Sequence, residues 1–534
     1  MHDSFTHVIV GAGSAGCILA NRLSSVSSNN VLLLEAGKWD SGIWTKIPVG
    51  YFRNMNNPKV SRHILTEPED GVLGRSINLP RGRVIGGSST INGLAFIRGQ
   101  RENFQRWAEL GLKEWGYNEV LPFFKKLENF SGSKSQFHGS FGELKVSELR
   151  NDHPYCKAWL DAGMEYGIPS NPDFNSDVSY GLGAYHLTIG KRFRSSSATA
   201  FLRPALSRKN LTVLTEAQVN RVLIKNNKVN GVSYKYNNSN HSVNVTGEVI
   251  LSAGSIISPQ ILQLSGIGPG SLLKKFDIPV IVDSPNVGRN LQDHYQMRTI
   301  VKLKKNISFN NDVRNPVKLV SMGLDWIFKG RGPLTVGAGN VGGGAKTKYS
   351  VNGQPDIQFN VMPLSVDRPG KPLHKYSGFT AAAWQCHPQS RGHVEIASPN
   401  SSDDPKVSPS YLSEEIDQKT LVEGVKMLRN IYKQPAFSNL WDEEMIPGKE
   451  VHTDEEILKA ARLHGGTVYH YTGTCRMGVD ESSVVDPYLK VRGVSGLRVV
   501  DASVMPEITS ANTNAPTMMI AEKAAEMILN SSDC

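Results

Sequence analysis

The stretch VIVGAGSAGCILANRL, residues 8–23, constrains the fold of this chain more than any other. Three apolar β-formers, Val8, Ile9 and Val10, break at once into Gly11, Gly13 and Gly16, and an amphipathic run from Cys17 to Leu23 follows. A strand, a glycine turn and a helix in G-x-G-x-x-G spacing gather backbone N–H groups and the positive helix end at one point, which suits a pyrophosphate. Gly11 permits the turn, Gly13 admits phosphate close to the backbone, and Gly16 lets the helix lie tight on the strand. A second apolar strand, Val31 to Leu34, ends at Glu35, about 20 residues on, where a carboxylate accepts from a ribose hydroxyl. Together they predict a dinucleotide held through its adenosine half, with FAD and NAD both open.

With 534 residues, the chain predicts two large domains, or one with a substantial cap. No apolar run reaches the ~18 residues of a membrane span, and the start lacks a basic region followed by an apolar one, so a cytoplasmic protein, or one attached peripherally to a membrane, is expected. The formal charge of +10 is dispersed; its densest groups, such as KLKKN at 302–306, are short, which fits a solvated face rather than a nucleic-acid site. Cys17, Cys156, Cys386, Cys475 and Cys534 are odd in number and far apart, without a C-x-x-C pair. That argues against a disulfide framework and a metal site alike, and for reduced thiols.

Further along, residues 38–78 read as a long excursion, and LPRGRVIGGSSTINGLAFIRG (79–99) as a run of exposed backbone N–H groups suited to a planar polar ligand or a phosphate. Residues 102–129 predict a helical stretch with Trp107, Leu110, Trp115, Phe123 and Phe124 in the core. A meander is expected over 211–234, then a strand at Val249–Ser252, a small-residue turn and a helix ending at Leu264. From about 300 to 450, alternating strands (PDIQFNVMPL, GHVEIAS) and a helix near 414–433 suggest a domain inserted into the first. The strand-turn style returns in GLRVVDASVMP (496–506), and one helix ends the chain. A dinucleotide domain completed by its last forty residues favours a flavoprotein.

GRVIGGSSTINGLAFIRG (82–99), GSIISPQILQLSGIGP (254–269), NVGRNLQDH (286–294), YHYTGTCRMG (469–478) and VVDASVMPEITSANTNAPTMMIAEKAA (499–525) occur in this order. Their sequence resembles that of the glucose-methanol-choline (GMC) oxidoreductases, FAD enzymes that oxidise alcohols, and is most similar to bacterial alcohol, polyethylene-glycol and choline-dehydrogenase-like members. The resemblance implies an α/β fold, α+β overall: a Rossmann-like FAD-binding domain built from segments 1–153, 205–300 and 455–534, and a substrate domain, 154–204 and 301–454, with an antiparallel sheet covered by helices. It assigns Gly11, Gly13, Ser14, Ala15 and Gly16 to the pyrophosphate, and Glu35 with Ala36 to the adenosine ribose. Val84, Asn92, Gly93, Leu94 and Ala95 are placed along the diphosphate and flavin, Val219 at the adenine, and Asp501, Ala502, Pro516 and Thr517 at the ribityl chain and pyrimidine end.

By the same resemblance His470 is the general base and Asn514 the second member of the catalytic pair. A base of ordinary pKa near 6.5 beside a flavin suits removal of a hydroxyl proton as hydride leaves carbon. The implied reaction converts an alcohol, expected to be primary, into an aldehyde, with oxygen or a quinone-like carrier as final acceptor. A lyase acting on cyanohydrins, with FAD as a structural part, is the alternative. Some members tether FAD through a His before the Asn of the first signature; Ile91 stands there, which predicts dissociable FAD. The stretch GNVGGGAKTK (339–348) lacks the acid that choline-oxidising members carry, which argues against choline. His387 is a candidate substrate contact, whereas His294, His393 and His464 read as structural or solvated.

Overall fold

The computed structural model describes residues 4–368 and 370–531. Cys534 and the outermost limits of the expected FAD segments, 1–3 and 532–534, lie outside them. Strand β1 (Ser4–Val10), helix α1 (Gly16–Leu23) and strand β2 (Val31–Leu34) form the opening unit, with Val8 opposite Leu32. Both strands are apolar without alternation at their inner ends because both faces of a parallel sheet are covered. Residues 38–78 are not all irregular: Ser61–Leu65 and Asn78–Gly82 pair as an antiparallel hairpin. The stretch 102–129 divides into helices Arg101–Glu109 and Tyr117–Leu127, because Gly111 takes φ +91°, a conformation that ends a helix. Trp107, Trp115 and Phe124 are buried there, while Leu110 and Phe123 are half-buried.

Strand β3 (Leu211–Leu214) adds in parallel to β2, and β4 (Gln218–Lys225), β5 (Lys228–Tyr236) and β6 (Ser239–Leu251) make the meander. The end of β6 runs parallel to β1 with Val249 opposite Val8, and helix α2 (Ile257–Leu264) follows it. The second sheet is antiparallel. It holds β7 (Tyr295–Leu303), β8 (Val341–Ala345), β9 (Ile357–Met362) and β10 (Gly378–Gln385), covered by helix α3 (Glu415–Tyr432) and closed at its edge by β11 (Trp441–Ile446), in the order β8-β9-β10-β7-β11. The GHVEIAS strand is not part of it; Gly392–Glu395 pairs with Arg289–Leu291 and Lys406–Ser408 in a small separate sheet.

The chain then returns to the first sheet. Strand β12 (Leu497–Val499) lies parallel to β6, giving the order β3-β2-β1-β6-β5-β4 with β12 beside β6, and helix α4 (Asn514–Ser531) packs on α1. One large core fills the first sheet and its helices, and a second lies between the antiparallel sheet and α3. The fold is α/β with an appended antiparallel layer, and the carboxyl ends of β1, β2 and β6 open onto the space between the two sheets.

Candidate active site

The turn after β1 is built by what cannot be there. A Cβ on Gly11, at φ +99°, would lie 2.7 Å from the Ser252 carbonyl oxygen, and one on Gly16 would lie 1.9 Å from the Gly11 oxygen. The helix can therefore start directly against the strand, which sets Gly13, Ser14 and Ala15, just before α1, on the cavity wall, while the N–H groups of Cys17 and Ile18 are taken by the Gly13 and Ala15 carbonyls. Gly11, Gly13, Ser14 and Ala15 line a cavity of about 350 Å³; Gly16 serves the packing behind it.

Glu35 and Ala36 lie on the same wall. The Glu35 carboxylate is buried, and each oxygen accepts one backbone N–H: Oε2 from Ala12 at 2.9 Å and Oε1 from Gly37 at 2.7 Å. Burial pushes its pKa up and the two donors hold it down. Lone pairs remain on both oxygens for hydroxyl donors. The run Asn92, Gly93, Leu94 and Ala95 also lines the cavity, with Leu94 at φ +72° and the Asn92 Oδ1 accepting from Leu94 N–H and Arg194. Val219, Ala502 and Thr517 reach it as well; Val84 and Pro516 stand outside the lining, Val84 fully buried. Asp501 lies on the wall, but its carboxylate is engaged by Gly254 N–H, the Ser258 hydroxyl and Ser503 N–H, fastening the start of α2 to the turn after β12.

His470 is buried on the wall facing this space. Its Nδ1 lies 2.9 Å from His294 Nδ1, and its Nε2 lies 3.0 Å from Asn512 Nδ2. His294 Nε2 in turn meets the Cys386 carbonyl at 3.0 Å. A carbonyl only accepts, so His294 carries its proton on Nε2 and offers a lone pair at Nδ1; His470 must then be Nδ1–H, leaving Nε2 as a bare lone pair that Asn512 addresses. Burial, His294 and Arg81 hold the His470 pKa well below its ordinary value, and burial brings that of His294 down to about 3. Both shifts favour the neutral ring.

His470 is pinned by its backbone as well. Asp293 accepts from His470 N–H at 2.8 Å and from the hydroxyls of Tyr411 and Thr467 at 2.5 Å, and burial brings its pKa up to about 6. Tyr469, directly before His470, sits at φ +70°, a conformation that bulky residues adopt only when the surroundings impose it.

Two expected contacts go elsewhere. The amide beside His470 is Asn512, not Asn514: Asn514 opens helix α4, and its Oδ1 turns to accept from Ser14 Oγ at 2.7 Å in the phosphate turn. His387 does not line the cavity; its Nε2 meets Asn103 Nδ2 at 2.8 Å behind the wall. His294, expected to be structural or solvated, contacts His470 instead. Arg81, at the end of the 61–82 hairpin, also lines the cavity and lies over the Tyr471 ring at 5.1 Å. The motif NLQDH carried a signal for Asp293 and His294, whereas Arg81 carried none of its own.

The wall fits a dinucleotide with a flat polar ring. Ser252 Oγ and Trp384 Nε1 are buried on it without partners, polar atoms that a polar ligand would satisfy. The glycine turn offers N–H groups to phosphates and Glu35 offers oxygens to ribose hydroxyls. Comparison with known proteins gives the same cofactor. The N-terminal and C-terminal patterns of GMC oxidoreductases match residues 5–296 and 388–521. Alcohol dehydrogenase (acceptor) of Pseudomonas putida is 41% identical across 99% of this chain and 96% of its own, and the mitochondrial choline dehydrogenase of Homo sapiens 38% across 98% and 90%. Pyridoxine 4-oxidase from Mesorbium loti superposes with a TM-score of 0.88 at 29% identity over 98% of this chain and 99% of its own. Formate oxidase shares the fold with a TM-score of 0.93 at 24% identity, over 100% of both chains. With two patterns covering most of the sequence and full-length relatives well above 30% identity, the chain belongs to the GMC oxidoreductase family, whose FAD-dependent members act on CH–OH groups.

Proposed function

We propose that this chain oxidises a neutral primary alcohol to an aldehyde, with His470 Nε2 as the base that takes the hydroxyl proton. The observation that carries this reading is the fixed tautomer: the Cys386 carbonyl orients His294, and His294 orients His470 with its lone pair toward the cavity. FAD held on the wall supplies the acceptor for the two electrons and the hydrogen lost from the carbinol carbon. Asn512 donates its N–H to the substrate oxygen as His470 removes the proton. The imidazolium so formed keeps both its N–H groups engaged, Nδ1–H on His294 and Nε2–H on the alkoxide. The alkoxide also gives the buried cation a counter-charge directly at Nε2. Holding the oxygen between Asn512 and His470 aims the carbon–hydrogen bond, so orientation and proton removal act together.

The lining also bears on the substrate. Among the described residues its only carboxylates are Glu35 and Asp501, both engaged by backbone N–H groups, while Arg298 and Gln296 stand on the same wall. A quaternary ammonium would meet no free anion there, although several relatives are choline dehydrogenases; a neutral alcohol suits it better. Ile91, on the wall, can form no bond to a flavin, which supports dissociable FAD. Reoxidation is assigned to oxygen or a quinone-like carrier. The assignment of 1–153, 205–300 and 455–534 to FAD and of 154–204 and 301–454 to substrate is supported by the two sheets, with β7 running across the limit at 300. Val84 and Pro516 are assigned to backing rather than touching the cofactor. A reducing, cytoplasmic setting fits Cys17, Cys156, Cys386 and Cys475, which are buried and unpaired.

The test is anaerobic mixing of the FAD-loaded protein with neutral primary alcohols and with choline, followed by air. Bleaching of the flavin by the neutral alcohols supports the reading, and the speed of recovery in air separates an oxidase from a dehydrogenase. Bleaching by choline alone would overturn the substrate class, and no bleaching by any alcohol would overturn the reaction.

A further inference from the structure

One helical segment of the second domain has no core of its own. The helix Pro316–Leu324 continues as a wider turn, Asp325–Lys329, and neither contains a buried residue. Its apolar side chains instead face outward: Val317 is 75% exposed, Val320 63% and Phe328 76%, with Leu324 and Ile327 close to half. Val317, Val320, Leu324 and Phe328 fall at the spacing of one helical stripe. An amphipathic helix normally turns such a stripe inward, and a monomer rarely shows a continuous apolar patch of this kind without use for it.

The patch extends beyond the helix. Trp326 stacks edge-on against Phe193 at 5.5 Å and donates its Nε1–H to the Arg192 carbonyl, so the tip of the 189–194 hairpin stands beside the stripe with Phe193 exposed. The short helix Ile43–Lys46 packs against the same hairpin and exposes Ile43 and Trp44. From Phe328 the chain leads through residues 329–337 to Ala338 and Gly339 on the cavity wall, so the patch and the active site share one stretch of chain.

Charge decides what this face fits. Between residues 304 and 331 the bases Lys304, Lys305, Arg314, Lys318, Lys329 and Arg331 stand against Asp312 and Asp325 alone, and the hairpin tip adds Lys191 and Arg192. A twofold interface between two copies would press this basic face against itself, which like charges oppose. An exposed apolar stripe rimmed by lysine and arginine matches an interfacial helix, with its apolar side among acyl chains and its bases at anionic headgroups.

We propose that the face formed by Pro316–Lys329, Phe193 and Ile43–Trp44 docks on an anionic lipid bilayer. The chain then lies on the membrane rather than in it, in keeping with the finding that, among the described residues, no helix is long and apolar enough to cross one. Docking does not depend on the reaction proposed above, so its test stands apart from that reading.

The test is flotation of the full-length, FAD-loaded protein with vesicles of phosphatidylcholine alone and of phosphatidylcholine mixed with phosphatidylglycerol. Binding to the mixed vesicles should be about tenfold or more above that to the neutral ones, as expected when several bases meet an anionic surface. The double variant Val317→Ser, Phe328→Ser should lose binding to both while keeping its flavin content and its reduction by alcohol. The variant Lys329→Glu, Arg331→Glu should lose the preference for the anionic vesicles. Equal binding by parent and double variant, or no binding by the parent, would overturn the proposal. So would sedimentation of the parent as a dimer that the double variant abolishes, which would assign the face to a second copy of the chain.

Discussion

His294 Nδ1 and His470 Nδ1 face each other at 2.9 Å, and since the Cys386 carbonyl takes the single N–H hydrogen of the neutral His294 ring, only His470 can supply the one between them. The tautomer of His470, the proposed proton acceptor, is thus set by a residue that lines none of the cavity. His294→Leu, which removes the acceptor, should slow flavin reduction by about 10²-fold, the lower end of what a general base contributes. His294→Asn places an oxygen where Nδ1 stood and should recover most of that loss. Rapid-mixing reduction rates with the two variants, on protein of normal flavin spectrum, check this. Equal losses would mean that His294 only fills space.

Asn512 and Asn514 should separate by phenotype. Asn512→Ala removes a donor to the substrate oxygen and should slow reduction about 10- to 100-fold, as loss of a hydrogen bond to a charged group does, with FAD retained. Asn514→Ala frees Ser14 in the phosphate turn and should loosen FAD, with reduction of the flavin that remains bound close to normal. Flavin content by absorbance and reduction rate, measured on both variants, give the comparison. The reverse pattern would return the catalytic role to Asn514.

Glu35→Ala should weaken FAD retention without changing the chemical step. The change also leaves the N–H groups of Ala12 and Gly37 without their acceptor, so some loss of stability accompanies it. Dialysis followed by absorbance, with thermal melts in excess FAD, measures both effects. A variant that stays fully loaded would show that the carboxylate serves the turn alone.

The pH dependence follows from the sign of the His470 shift. Its pKa is lowered, so the neutral, active form persists as pH falls through 6.5, where an ordinary histidine would protonate. Reduction by alcohol should be level from pH 8 to about 6.5 and decline only below that value. An acid limb centred above pH 7 would contradict the environment described for the base.

Much of the cofactor wall was legible because its signals are local. Val8 to Gly16 and Val31 to Glu35 each carry strand, turn and ligand-facing residue within a few positions, so spacing alone locates them. The contact between His470 and an amide needs more than spacing. Asn512 and Asn514 are two residues apart in one motif, and which of them meets His470 depends on α4 starting at Asn514, a boundary that the sequence places only loosely. His294 and Asp293 sit in NLQDH, far from His470 along the chain, and only strand β7 carries them to it. The 61–82 hairpin leaves little trace in the sequence because its strands are short and carry Arg62, His63, Pro80 and Arg81 rather than alternating apolar residues. Arg81 reached the cavity unannounced for that reason.

The proposed reaction turns on removal of the hydroxyl proton by His470. It is tested most directly by anaerobic stopped-flow reduction of FAD-loaded parent and His470→Ala protein with a primary alcohol that bleaches the parent. The variant should keep the bound-flavin spectrum and be reduced about 10²- to 10⁴-fold more slowly, the range that general-base catalysis supplies. A variant reduced as fast as the parent would contradict it.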